Sequence, residues 1–343
     1  MRKLQETPSP VRRMGEGWDE GTSAAVPSPP PSPGTSVGRG SSQEKLGLLL
    51  PPSVAEPFGR SWSEAEAFSY CKRLTRGHYE NFPVGSVLIP GRLQPAVHAL
   101  YAFMRTSDDF SDENRRTGDE TERLAWLRSW EALLDDCVRG EARHPIFIAL
   151  RRTLEQHRLP VEWLRDLLHA FQMDVTVRRY QTYDDLLAYC RYSAHPVGRL
   201  ILTLFGYRDE ELYRLSDAIC TGLQLANHWQ DVAVDLEKDR IYLPQKDMAR
   251  FGYSEDHLRQ RVVNKAFEDL LQMEVARTRQ LFSVGRTLPE RVFGRLRYEL
   301  RFTWNGGVRI LDKIEAVRYD VFTHRPVVTR ADWFGIALRV LRP

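Results

Sequence analysis

The sequence predicts an all-α protein, and three observations carry that prediction. From Ser61 onward, apolar residues recur at helical spacing. Convincing alternating strands are absent. No internal repeat of the length that builds solenoids is visible, so the helices should pack around one interior.

The elements follow in order. Ser61-Trp62-Ser63-Glu64 reads as a capping box opening a helix toward Leu74. Prolines at 83, 90 and 95 make the next stretch loop-like. Val97, Leu100, Tyr101 and Met104 then mark a helix running to Asp112. Further helical patterns cover Glu122–Val138, Pro145–Gln156, Val161–Arg178, Tyr183–Tyr192 and Val197–Phe205. The remainder cover Glu210–Leu236, Asn264–Leu281, Leu288–Trp304, Val308–Tyr319 and Ala331–Leu341.

The domain is expected to occupy 61–343. Residues 1–60 hold 10 of the 20 prolines and 8 of the 22 glycines, and the run Val26–Ser42 has almost nothing to bury. Such a Pro/Gly/Ser-rich tail is expected to be disordered. It contains Gly34-Thr35-Ser36-Val37-Gly38, a GxSxG match without the strand and helix that this hydrolase motif needs.

Composition excludes several classes. A net charge of +3 argues against a nucleic-acid partner bound by bulk attraction to phosphate. No apolar run is long enough to span a bilayer, and no signal-peptide pattern opens the chain. Cys71, Cys137, Cys190 and Cys220 are widely spaced and form no CxxC, so buried free thiols in a reducing compartment are expected. The expected location is the cytoplasm, in solution or resting on the inner face of a membrane.

Two constellations carry chemistry. In Arg105-Thr-Ser-Asp108-Asp109-Phe-Ser-Asp112, positions 108 and 112 stand one helical turn apart, with Asp109 beside them. They continue a stripe that begins at Val97 and Tyr101. Carboxylates so placed repel one another unless a cation is present. Mg²⁺ suits them, because it shares a few carboxylates with waters and substrate phosphates. Arg105, one turn earlier, can donate to a phosphate oxygen. Acidic runs also occur on solvated helix faces.

The second set lies in Gln224-Leu-Ala-Asn227-His-Trp-Gln-Asp231-Val-Ala-Val-Asp235. Asn227, Asp231 and Asp235 recur at i, i+4 and i+8, and Gln224 begins the same series. Their helix is otherwise apolar at Leu223, Leu225, Ala226, Val232 and Val234. Asn is the informative member. A solvated face would favour Glu or Lys, whereas a neutral amide oxygen among carboxylates suits a hard cation.

These two motifs, with Tyr189-Cys-Arg-Tyr-Ser-Ala-His-Pro-Val-Gly198 between them and Arg240-Ile-Tyr-Leu-Pro244 after them, resemble the squalene/phytoene synthase family. His78-Tyr-Glu-Asn-Phe-Pro-Val-Gly-Ser86 and Trp304–Ile314 resemble its bacterial hydroxysqualene synthase branch, which serves hopanoid synthesis. The resemblance implies a single-domain isoprenoid (terpenoid) synthase fold with a central cavity. It implies Mg²⁺ held by Asp108, Asp109, Asp112, Asn227, Asp231 and Asp235, and a prenyl diphosphate substrate. For the branch that substrate is presqualene diphosphate, converted with water to hydroxysqualene, with no NADPH expected. Hand-over from other squalene-pathway enzymes goes with that reading.

The catalytic candidates beside the metal set are Arg105, Tyr101, Tyr79, Asn81, Tyr189 and Gln224. Phe82, Tyr101, Tyr189 and Trp229 could stabilise a carbocation through their ring faces, and each could equally be core packing. Tyr79 and Asn81 stand where relatives usually have two serines, and are candidates for positioning water. Gly307 stands where relatives often have a tyrosine. The alternatives are a condensing sibling enzyme (a presqualene diphosphate, dehydrosqualene or phytoene synthase), a non-catalytic relative, in which the aspartates intact here should be eroded, and a helical scaffold. An apolar substrate implies access from a membrane surface, although no strongly basic amphipathic anchor stands out in the sequence.

Overall fold

The computed structural model describes residues 46–47, 49–76, 88–111 and 119–341, all within one unit, Gly40–Pro343. The expected tail therefore lies largely outside the described residues. So do Tyr79, Asn81, Phe82 and Asp112.

The described chain is helical, with no strand among its residues beyond an isolated bridge between Arg179 and Ile241. One turn, α1 (Pro52–Ala55), precedes α2 (Glu64–Arg76), α3 (Gln94–Ser111), α4 (Glu120–Val138), α5 (Pro145–His157) and α6 (Glu162–Thr176). Then come α7 (Tyr183–Ser193), α8 (His195–Leu204), α9 (Glu210–Gln230) and α10 (Val232–Glu237). Two short helices, α11 (Gln245–Arg250) and α12 (Glu255–Arg259), lead to α13 (Lys265–Gly285), α14 (Arg295–Ala316) and α15 (Arg330–Leu341).

Side-chain caps set several of these starts. Asp119 accepts from the Glu122 amide at 2.9 Å while Glu122 accepts from the Asp119 amide, a reciprocal box that opens α4. Thr182 and Asp185 do the same for α7. Asp209 opens α9 and Asn264 opens α13, each accepting an amide at 3.0 Å. At α2 the box sits two residues later than the sequence suggests, on Ser63 and Glu66. Trp62 is drawn back instead, its indole N–H donating to the Pro57 carbonyl.

Two apolar clusters form the interior. The first gathers α2 to α6 around Trp130, whose ring meets Phe103, Phe110, Phe147 and His144. The second surrounds α9, which packs on α8, α13 and α14. Glycines allow that close approach. A Cβ on Gly307 of α14 would stand 2.5 Å from Phe282 Cζ, and one on Gly222 of α9 would meet the same ring at 3.2 Å. This explains why α14 runs unbroken through Asn305-Gly306-Gly307, where the sequence suggested two helices. The glycine pair costs helix propensity but admits Phe282 on one side and Trp333 on the other.

Three further features depart from the expected helices and thiols, the first of them at the site. The helix expected over Glu210–Leu236 swivels at Asp231 (φ −105°, ψ 17°), although amide bonds from Asp231 to Asn227 and from Asp235 to Asp231 carry the helical ladder across. Leu288–Arg291 is a separate 3₁₀ turn ahead of α14. All four cysteines are free, as expected, but Cys220 is half-buried.

An ion cluster inside the second core gives a pH prediction. Glu274 is 0% exposed and accepts from Arg277 at 3.2 Å, while Arg277 also donates to Asp247 at 2.7 Å. Burial pushes the Glu274 carboxyl up from 4.5 to about 8. Between those values the unfolded chain releases a proton that the folded chain keeps, so stability falls as pH rises through this window. Glu274→Gln mimics the protonated acid and should remove that fall. Its advantage over the wild type should grow between pH 5 and pH 8 by on the order of 2 kcal/mol, about 4–8 °C in melting temperature. An advantage that stays constant across the range would contradict the assignment.

Candidate functional site

The site begins on α3. Val97 and Tyr101 are buried at 1% and 7% exposure, as the stripe requires. Arg105 follows them, its side chain 14% exposed. Its guanidinium forks, Nη1 donating to Asp108 at 3.1 Å and Nη2 pairing with Asp109 at 3.0 Å. Arg105 thus orients both acids, which stand half-exposed.

The second motif lies at the end of α9. Asn227 Nδ2 donates to Asp231 Oδ2 at 2.7 Å, which leaves the amide oxygen available as a ligand. Asp231 also takes a forked contact from Arg325, Nε at 2.6 Å and Nη2 at 3.0 Å. Gln224 is half-buried one turn before Asn227. The apolar residues around the motif are not uniformly buried, since Val234 is 39% exposed.

The chain between and after the motifs draws them together. Arg240 Nη2 donates to the Ser111 carbonyl at 3.3 Å, tying the segment after the second motif to the end of α3. Asp174 of α6 lies between the two sets. Burial raises its carboxyl to about 6, Arg240 and the Tyr189 hydroxyl oppose the rise, and the charge on Asp108 adds to it. Burial also raises Asp235 to about 7, with Asp231 and Asp174 adding to the rise and Arg240 and Lys238 opposing it. The acids of the two motifs thus share one electrostatic field.

Asp174, Arg240 and Arg325 are the residues that sequence reasoning did not single out as site members. A lone acid in Phe171-Gln-Met-Asp174-Val175 was the available signal for the first.

An aromatic wall backs the acids. The Tyr189 hydroxyl donates to Asp174 at 2.8 Å. Its ring neighbours Tyr180 and Tyr242, and Tyr242 stacks on His228 at 3.6 Å. Burial pushes His228 down to about 3, so it is neutral. Trp229, a candidate for the cation-facing wall, is core instead: it is 0% exposed and its indole donates to Thr278 at 2.8 Å. His195 joins α8 to α9 through Thr221 at 2.9 Å.

Among the described residues no three His, Cys, Asp or Glu side chains converge as a closed metal cage. The donors are nonetheless all oxygens and their acids crowd one another. That fits a magnesium ion held by one or two carboxylates, with waters and substrate phosphates completing the shell. The cavity of about 460 Å³ lined by Phe68, Arg92, Arg152 and His157 takes no residue from either motif.

A family model described as squalene/phytoene synthase matches residues 75–332. A hydroxysqualene synthase of Rhodopseudomonas palustris is 40% identical over 210 residues, 61% of this chain and 70% of that protein. A phytoene synthase of Arthrospira platensis is 30% identical over 300 residues, 82% of this chain and 94% of that protein. Among solved structures, squalene synthase HpnC from Alicyclobacillus acidocaldarius superposes with a TM-score of 0.70 at 40% identity, covering 80% of this chain and 98% of that one. A dehydrosqualene synthase in complex with ligand shares the fold at a TM-score of 0.72 and 23% identity, covering 81% of this chain and 96% of that one.

Proposed function

The chain belongs to the squalene/phytoene synthase family, an all-α isoprenoid synthase fold, and from that premise we propose that it is a hydroxysqualene synthase. It converts presqualene diphosphate and water to hydroxysqualene and diphosphate. The observation that carries a diphosphate-ionising reading is the meeting of the two acid motifs, marked by the Arg240–Ser111 bond and by Asp174 between Asp108 and Asp235. The likeness to hydroxysqualene synthases and the Tyr79–Asn81 stretch support this reaction among those of the family.

Asp108, Asp109 and Asp112 would hold magnesium on one side, and Asn227, Asp231 and Asp235 on the other. Mg²⁺, when bound there, supplies Lewis-acid stabilisation of the departing diphosphate. Arg105 pairs with Asp108 and Asp109, and its guanidinium would add a donor to the leaving oxygens. The carbon–oxygen bond breaks with its electron pair on the diphosphate. Departure leaves a cyclopropylcarbinyl cation, which rearranges with opening of the three-membered ring, and Tyr101, Tyr180, Tyr189 and Tyr242 would stabilise it through their ring faces. Gln224 lies one turn from Asn227 to meet a diphosphate oxygen. Tyr79 and Asn81 place the water whose oxygen bonds to the cation, and its proton leaves with the diphosphate.

The test is to incubate the protein and Mg²⁺ with presqualene diphosphate, and separately with farnesyl diphosphate, without NADPH, and to identify products by mass spectrometry. Hydroxysqualene from the first and nothing from the second is the expected result. Coupling of farnesyl diphosphate would overturn it in favour of a condensing sibling. That second reading is favoured by the longer alignment with phytoene synthases.

A further inference from the structure

The last helix leaves an apolar face uncovered. On α15, Ile336 and Val340 are buried at 4% and 2% exposure, and Trp333 lies against Gly306 of α14. The Arg301 guanidinium donates to the Val340 carbonyl, so this stripe is fastened along α14. The opposite side carries Phe334, 68% exposed, and Leu338, 48% exposed. Trp333 at 44% and Val327 at 44% are exposed beside it.

Charge distinguishes the kind of surface this face fits. At 3.6 residues per turn, Arg330 and Arg339 fall at the two edges of the arc that holds Phe334 and Leu338. Both are exposed, and neither makes an ion pair among the described residues. The one acid of the helix, Asp332, is turned inward, its side chain 7% exposed and bound by Arg309 and Lys313 at 2.8 Å each. The outward side therefore presents apolar and aromatic groups flanked by positive charge only. A helix lying in a lipid headgroup layer has this arrangement: the apolar arc enters the acyl boundary and flanking arginines meet lipid phosphates. The sequence hides it, because only two arginines stand on the helix and the acid beside them offsets one of the two in any count.

We propose that the outward face of α15 docks the protein on an anionic lipid bilayer. No helix of the described residues is long and apolar enough to cross a membrane, so the docking is peripheral. It holds whichever prenyl diphosphate reaction the chain performs.

The experiment is co-sedimentation of the full chain with phosphatidylcholine vesicles, with and without phosphatidylglycerol. Binding should be stronger to the anionic vesicles and should weaken as salt is raised. The double variant Phe334→Asp/Leu338→Asp should bind about tenfold or more weakly. Arg330→Glu/Arg339→Glu should lose the preference for anionic lipid. Circular dichroism and light scattering on the same samples report fold and oligomeric state. Wild-type protein that stays in the supernatant would overturn the proposal, as would variants that sediment like the wild type. So would a wild-type dimer that the first variant dissociates without changing vesicle binding, which would make the face an interface between copies.

Discussion

Asp231→Asn should leave the fold intact and lower turnover by about 10²–10³-fold. Asp231 sits at the swivel between α9 and α10, but its side chain caps neither helix. Its partners are Arg325, itself 50% exposed, and the exposed amide of Asn227. The Asp231 side chain is itself only 15% exposed, but a pair whose guanidinium is half in water contributes about 1 kcal/mol, since the freed guanidinium turns to water. Removing one charge also relieves the crowding that Asp235 feels. Little stability is therefore at stake, whereas the proposed chemistry loses an anionic ligand. Diphosphate release and thermal melting measured on the same preparation decide the matter. Retained turnover would remove Asp231 from the metal set, and a large fall in melting temperature would make it a structural residue.

Gly285→Ala and Gly335→Ala should have effects of opposite sign. Gly335 lies inside α15, where alanine gains roughly 0.5–1 kcal/mol of helix propensity, and Gly285 is the last residue of α13, where the gain is smaller. At Gly335 a new Cβ meets nothing within 4 Å, and that gain should appear as added stability. At Gly285 the Cβ would stand 2.3 Å from Ile219 Cγ1 and 2.9 Å from the Leu215 carbonyl oxygen. A side chain can rotate away, but the backbone of α9 has to move. Overpacking of this kind costs about 1–3 kcal/mol, which would outweigh the propensity gain. The displaced segment runs on toward Asn227, so activity should fall along with stability. Thermal or denaturant unfolding of the two variants checks the signs, and a Gly285→Ala protein as stable as the wild type would show that α9 yields more easily than its packing implies.

Two acid sets on separate helices were legible in the sequence, because a helix places i, i+3 and i+4 on one side whatever surrounds it. Asn227, Asp231 and Asp235 keep that spacing even across a swivel that no glycine or proline announces. The α14 helix was misjudged for the converse reason. Gly306 and Gly307 look like a break when only propensity is considered, and their use lies in what presses against them, Phe282 and Trp333.

The chain by itself determined the helical class, most element positions and the helical spacing of the acids in the two motifs, since each depends on residues within a turn or two of one another. Tertiary structure alone decided which side chains share the site. Asp174, Arg240 and Arg325 lie far from Asp108 in sequence, and only packing places a lone acid of α6 between two motifs or turns Arg325 onto Asp231. It also decided that Trp229 faces Thr278 in the core, and that the one acid of α15 points inward. Local sequence fixes the face on which a side chain stands. What that face meets depends on contacts between distant segments, and burial and charge at the site follow from those contacts.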